Sequence, residues 1–325
     1  MNYIDLHCDT LMKAFLKRKK DISVLKKCRV DLNRLNYGGC LAQFFAIFML
    51  PMSIKSKAGF LLPSDMRYIE KLHDILINTI SIHPNQIAFT RNASEMAENA
   101  ASGKLSAFLT LEDGRAVDGR IENLERFHAL GIRLITITWN TSNCFGEPNS
   151  ADVTTMGKGL TPFGKAAIQR MNELGIVVDV SHLSDGGFWD VAALSKYPFI
   201  ASHSNCRALC PHQRNLTDEM IRKLSDAGGV IGLNFKPEFV NEDCSGSRVT
   251  AAQVAKHARH MANIGGVGCI GIGTDFDGFS GDIEIAAPKD MPKLFVALQK
   301  EGFHESEIEK IAWENAQRVI HDVML

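Results

Sequence analysis

"YIDLHCDT", residues 3–10, reads as a buried strand that ends in His7, Cys8 and Asp9. A strand repeats every two residues, so strict alternation puts His7 and Asp9 on one face and Cys8 on the other. An imidazole and a carboxylate at the end of an apolar strand need something to offset their desolvation. A divalent metal would do so, since both groups suit zinc. A simple His–Asp hydrogen bond would do so too, and this stretch alone leaves both readings open.

The same form recurs along the chain. Apolar runs rich in β-branched and aromatic residues fall at 3–9, 40–49, 105–112, 132–139, 177–182, 199–204, 229–235 and 269–276. Helical patterns lie between them. One begins at Ser64 and runs to residue 82. Thr161-Pro162 reads as the N-cap and first position of another that reaches about 174. Thr217 and Thr250 cap helices over 218–227 and 251–264, and Ser306-Glu307-Ile308-Glu309 reads as the capping box of a last helix to about 322. Eight strands alternating with helices is the count of a closed (β/α)8 TIM barrel of the α/β class, here one catalytic domain over 1–325. An open doubly wound sheet is the alternative, but no Gly-x-Gly-x-x-Gly follows the first strand. The longest irregular piece, 236–249, reads as a loop over the site.

Bulk properties narrow the function. With 325 residues, 45% of them hydrophobic, the chain can bury a sizeable core. A net charge of -1 without a basic stripe argues against nucleic acid as a partner. No stretch approaches the roughly 18 apolar residues of a membrane span. The first residues are polar and acidic where a signal peptide would be apolar, and eight scattered cysteines fit reduced thiols, so a cytoplasmic location is expected. Cys206 and Cys210 form a C-x3-C pair with no second pair, and they read as structural thiols.

Active sites of such barrels lie at the C-terminal ends of the strands. Read there, the first strand gives His7 and Asp9, "FLTLE" gives Glu112, "VVDVSH" gives His182, "IASHS" gives His203 and "GIGTDFDG" gives Asp275. Five strands ending in a ligand-type residue point to one metal centre. Three histidines and three carboxylates exceed the three protein ligands of a single catalytic zinc. Two divalent ions sharing a carboxylate fit the count better. Asp9, Glu112 and a bridging hydroxide leave such a centre cationic, which suits hydrolysis.

The blocks "DLHCDT", "TLEDG", "DVSH", "ASHSNCRALCPHQRNLTDEM" and "GIGTDFDG", running in order from residue 3 to about 320, resemble the membrane (renal) dipeptidase family, metallopeptidases of the amidohydrolase-like barrels. The resemblance implies a zinc-dependent dipeptidase with two Zn2+ per chain and a small dipeptide as substrate. His7 and Asp9 would bind one zinc, His182 and His203 the other, and Glu112 would bridge them. Asp275 would carry a proton from the bridging water to the leaving amine. Arg214, in "QRNL", would hold the C-terminal carboxylate of the dipeptide, a role that suits a bidentate guanidinium. It further implies tolerance of a C-terminal D-residue and, as is common in the family, a homodimer. One position departs from the renal pattern: "LITITWN" places Trp139 where a histidine would meet the scissile carbonyl. Alternation groups Ile135, Ile137 and Trp139, and if that face lines the barrel interior, Trp139 stands in the site mouth as an apolar substrate-binding wall. The rival readings are an N-acyl amino acid deacylase or lactonase on the same metals, and a non-catalytic binding barrel.

Overall fold

The structure is a computed structural model and describes residues 1–51 and 63–324. Its strands are β1 Tyr3–Cys8, β2 Cys40–Phe48, β3 Ile87–Phe89, β4 Leu105–Glu112, β5 Ile132–Thr136, β6 Val177–Asp179, β7 Ile231–Leu233 and β8 Ile270–Ile272. All pairings between them are parallel, in the order β6-β5-β4-β2-β1-β8-β7. The gap between β6 and β7 is crossed by residues 200 and 201. Ile200 bridges Asp179 and Ala201 bridges Ile231, which closes the ring.

The run at 199–204 was expected as a full strand and forms only these two bridges. The reason lies in its next donors. The Ser202 N–H donates to Asp179 Oδ1 and the His203 N–H to Ser181 Oγ, so side chains take the place of a neighbouring strand. Strand β5 also ends early, at Thr136, where 139 was expected. The short β3 went unread in the sequence. It pairs with Leu105–Ala107 of β4, below the point where β5 joins the same edge.

Strand alternation sorts the apolar residues into two layers. Ile4, Leu6, Phe44, Phe108, Leu134, Val177, Ile200 and Val230 fill the barrel interior, and Ala316, Val319, Ile320 and Val323 of the C-terminal helix Asn315–Val323 pack onto them from below. The Phe44 and Phe108 rings stack at 4.7 Å. The larger cluster lies between strands and helices and contains Cys8, Ile47, Leu111, Ile135 and Ile137. Polar residues begin where the interior layers end: the register places Phe48, Glu112, Thr136 and Asp179 side by side at the upper rim.

The expected helices are present, with Ser64, Thr161, Thr217 and Thr250 as their N-caps. The last one differs at its start. It begins at Glu305, and Glu307 reaches back to accept from the His304 N–H at 2.8 Å, so His304 and not Ser306 is the cap. A π-helical turn at Lys310–Glu314 interrupts it before Asn315–Val323.

Candidate metal centre and substrate cavity

His7 reaches the rim through an irregularity. Leu6 belongs to the inner layer and Cys8 to the outer, with a register shift between Asp5 and Cys8. Such a bulge re-aims a side chain, and here it brings both Leu6 and His7 to the interior side. The alternation expected over residues 7–9 holds, with Cys8 outward and His7 and Asp9 together at 3.6 Å, although the bulge places Leu6 on the same side as His7.

Glu112 stands between two groups of ligand atoms. Its Oε2 lies 3.4 Å from His7 Nε2, and its Oε1 lies 3.2 Å from His182 Nε2 and 3.7 Å from His203 Nε2. The two histidines on the Oε1 side are 3.1 Å apart, Nε2 to Nε2. All five side chains are buried. Two ligands each about 2.0–2.1 Å from a tetrahedral ion stand about 3.3 Å apart, so these separations fit one ion on each side of Glu112. His7 Nδ1 and Nε2 and Asp9 Oδ1 are buried with no hydrogen-bond partner, as expected of atoms waiting for a cation. Asp275 stands with His7 and Asp9 in one group of ligand-competent atoms.

Surrounding side chains set the histidines. His182 Nδ1 pairs with Asn140 Oδ1 at 3.0 Å, which leaves Nε2 facing the centre. His203 Nδ1 pairs with Ser202 Oγ at 2.7 Å, and that hydroxyl donates to Asp179 Oδ2 at 2.6 Å. Burial, then Arg214 and His7, hold His182 well below the usual imidazole pKa, and burial and then His7 do the same for His203. Both are therefore neutral, the ligating form. Burial opposes charge on His7 as well, but Glu112 and Asp9 outweigh it and raise its pKa. Burial first, and then the Asp9 charge, pushes Glu112 up to about 8. A cation would displace the protons this site otherwise holds.

His182 and Asp275 both have left-handed backbones, with φ of 69° and 58°. His and Asp tolerate that region better than most residues, and it turns each side chain sharply off its strand end. The His182 carbonyl is fixed by three donors: Thr138 Oγ1, Asn149 N–H and Asn149 Nδ2. Asn234 Nδ2 donates to Asp275 Oδ2 at 3.0 Å. Gly278, in "TDFDG", has a steric reason. A Cβ there would lie 2.2 Å from Asp275 Oδ1 and 2.3 Å from Asp9 Oδ2. Asp277 of the same motif serves the fold, accepting from Thr10 Oγ1 and the Arg29 N–H.

These groups open into a cavity of about 480 Å³ whose walls include Glu112, His182, Asp275, Arg214, Trp139 and Lys236. Arg214 is buried, donates to Ser204 Oγ and the His203 carbonyl, and has no carboxylate partner among the described residues. Burial brings its pKa down to about 10, and its Nε has no acceptor. Trp139 does line the cavity, but not by the face expected. Ile135 and Ile137 point outward to the helices and Leu134 points inward. Trp139 enters because the chain leaves the barrel wall after Thr136, and its ring packs on Phe48 at 5.1 Å. In the irregular stretch 236–249, Pro237–Val240 forms a helical turn, and Lys236 and Phe239 reach the cavity. The C-x3-C pair does not close on itself: Cys206 Sγ donates to the His257 carbonyl, while Cys210 Sγ lies 3.5 Å from Cys244 Sγ.

Sequence reading overlooked Asp179, Asn140, Asn234 and Lys236. Only Asp179 carried a signal, a lone carboxylate inside the apolar run "VVDV". The described residues contain no helix long and apolar enough to cross a membrane.

The chain resembles known proteins in sequence and fold. An uncharacterized protein in the pqqA 5' region of Klebsiella pneumoniae is 33% identical over 264 residues, which cover 77% of this chain and 96% of that protein. The crystal structure of dipeptidase AC, a metallopeptidase of family M19, superposes with a TM-score of 0.89 at 28% identity and covers 100% of this chain and 99% of its own. A metallopeptidase from Rhodobacter sphaeroides, solved with a phosphinate mimic of the dipeptide L-Ala-D-Ala, gives the same identity and TM-score over 99% of both chains. The family model for membrane dipeptidase, peptidase family M19, matches residues 1–325. The chain belongs to the membrane dipeptidase family, and its chemistry is that of a metal-dependent dipeptidase.

Proposed function

We propose that residues 1–325 act as a single catalytic domain that hydrolyses dipeptides on two divalent ions, zinc being favoured by the mixed imidazole and carboxylate donors. His7 and Asp9 would hold one ion, His182 and His203 the other, and Glu112 would bridge them, each of its oxygens facing one pair. When bound, such ions polarise a carbonyl and acidify water. The rest falls to the chain. Arg214 binds the C-terminal carboxylate and so places the scissile bond over the rim. Asp275 takes a proton from the attacking water and returns it to the departing amine. Asn234 holds its Oδ2, which leaves Oδ1 for the transfer. Burial holds the Asp275 carboxyl above the usual carboxylate range, the direction a proton carrier needs. Trp139 and Phe48 give the cavity apolar wall for a substrate side chain.

The observation that carries this reading is Arg214, a buried guanidinium with no ion-pair partner among the described residues, in the cavity that Glu112 and His182 also line. A lactonase would not need a free cation there, and a non-catalytic barrel would not keep every ligand group. The mimic of L-Ala-D-Ala in the Rhodobacter relative supports acceptance of a C-terminal D-residue. Free, unlinked cysteines suit the cytoplasm. The test is a comparison of free dipeptides with their C-terminal amides on metal-reconstituted protein. The amide should lose about 2–5 kcal/mol in kcat/KM, the cost of leaving a buried charge unpaired. Equal efficiency on both would remove Arg214 from carboxylate binding, and faster turnover of N-acyl amino acids than of dipeptides would favour the deacylase reading.

A further inference from the structure

Arg214 is not the only cation at its end of the cavity. Lys236 also lines it, and the two meet at one ring: Arg214 Cζ lies 5.3 Å and Lys236 Nζ 4.4 Å from the centre of Phe239. The His212 ring packs against the same phenyl group at 4.7 Å. Neither Arg214 nor Lys236 forms an ion pair among the described residues, and Lys236 donates no side-chain hydrogen bond there. Glu238 acts on His212 and Asp275 on Arg214, and Lys236 in turn acts on Asp275, yet neither acid pairs with either cation.

One carboxylate fills one guanidinium, oxygen to nitrogen, in a bidentate pair. A dipeptide with a neutral C-terminal side chain would therefore satisfy Arg214 and leave the half-buried Lys236 ammonium with a ring face and solvent but no anion. A ring face attracts a cation but does not neutralise it. What the cavity lacks is a second anionic group a few bonds from the first. The side-chain carboxylate of aspartate or glutamate stands in that relation to the α-carboxylate. The other acids of the cavity, Asp9, Glu112 and Asp275, belong to the metal end and would repel such a group from there.

We infer that Lys236 is a specificity-determining residue that selects dipeptides whose C-terminal residue is acidic, an inference that rests on the dipeptidase reading above. The ammonium takes the side-chain carboxylate while Arg214 takes the α-carboxylate, and Phe239 spaces the two cations.

The experiment measures kcat/KM for Ala-Ala, Ala-Glu and Ala-Lys, each with an L- and a D-configured second residue, on metal-reconstituted wild type, Lys236→Met and Lys236→Arg. Wild type should favour Ala-Glu over Ala-Ala by about tenfold or more, the worth of one charge-assisted contact. Lys236→Met should erase that ratio, and Lys236→Arg should keep most of it. Retention of metal and of the unfolding midpoint separates this change from a folding defect. A wild type that prefers neutral dipeptides, or a ratio unmoved by Lys236→Met, overturns the inference and leaves the dipeptidase reading standing. Equal losses on Ala-Glu and Ala-Ala would assign Lys236 to the α-carboxylate and overturn it too. No turnover of any dipeptide overturns both.

Discussion

The two halves of the barrel are built differently. On one side β1, β2 and β4 run six, nine and eight residues, and β2 and β4 share a continuous ladder. On the other, β6, β7 and β8 have three residues each, and the segment between β6 and β7 has only isolated bridges. The long half carries His7, Asp9 and Glu112, and the short half carries His182, His203 and Asp275. The β2–β4 ladder positions Glu112, and Asp5 Oδ1 takes the His7 N–H at the bulge. Buried side chains position the second set. Asp179 alone accepts from Thr136 Oγ1, the Ser181 N–H, the Ser202 N–H and Ser202 Oγ. Asn205 ties its own loop to Asn234 O and Phe239 O. Where a sheet gives up its ladder next to a site, polar side chains must satisfy the freed backbone groups.

The largest effect should come from the residue that joins the halves. Glu112→Ala should reduce turnover to background and release metal from both sides, as read by metal analysis after dialysis. His182→Ala should empty only the short half and keep about one equivalent. Equal retention in the two variants would break the comparison. Next comes Asp275→Asn. It should lower kcat by about 10²–10⁴ while metal content holds, the loss typical of a positioned acid–base group. Loss of metal instead would make Asp275 a ligand.

A stability measurement sharpens the contrast itself. Asp179→Ala leaves four buried donors without their acceptor, so it should cost about 3 kcal/mol or more in denaturant unfolding. In the long half, Thr110 Oγ1 is buried with no partner among the described residues, and Thr110→Val should stay within about 1 kcal/mol of wild type. Similar costs at both positions would mean that polar side chains matter equally in the two halves. The smallest effect is on selectivity. Trp139→Ala should narrow the preference for an apolar over a polar first side chain by about 1–3 kcal/mol in kcat/KM, with metal content unchanged. Parallel losses on both substrates would leave Trp139 as a cap on the rim.

The same contrast explains what could be read from the chain. The long half was legible because its ladders obey the period of two: Phe44, Phe108 and Glu112 fall on the inner face as alternation requires. Glu112, His182, His203 and Asp275 could be picked out because each closes an apolar run. Alternation misled where the backbone departs from it. The early end of β5 detached Trp139 from Ile135 and Ile137. The asparagines were invisible for another reason. They act through contacts between segments far apart in the chain, and no local period encodes those.

The thin closure at 200–201 has a mechanical consequence. A wall stitched by two single bridges is the seam at which the ring should breathe first, and His182 and His203 stand on either side of it, 3.1 Å apart. A cation held by both imidazoles would work as a rivet through that seam. Loading the enzyme would then slow amide hydrogen exchange at 199–204 more than anywhere in β2 or β4, so the ions that equip the protein for hydrolysis would also keep its cylinder shut.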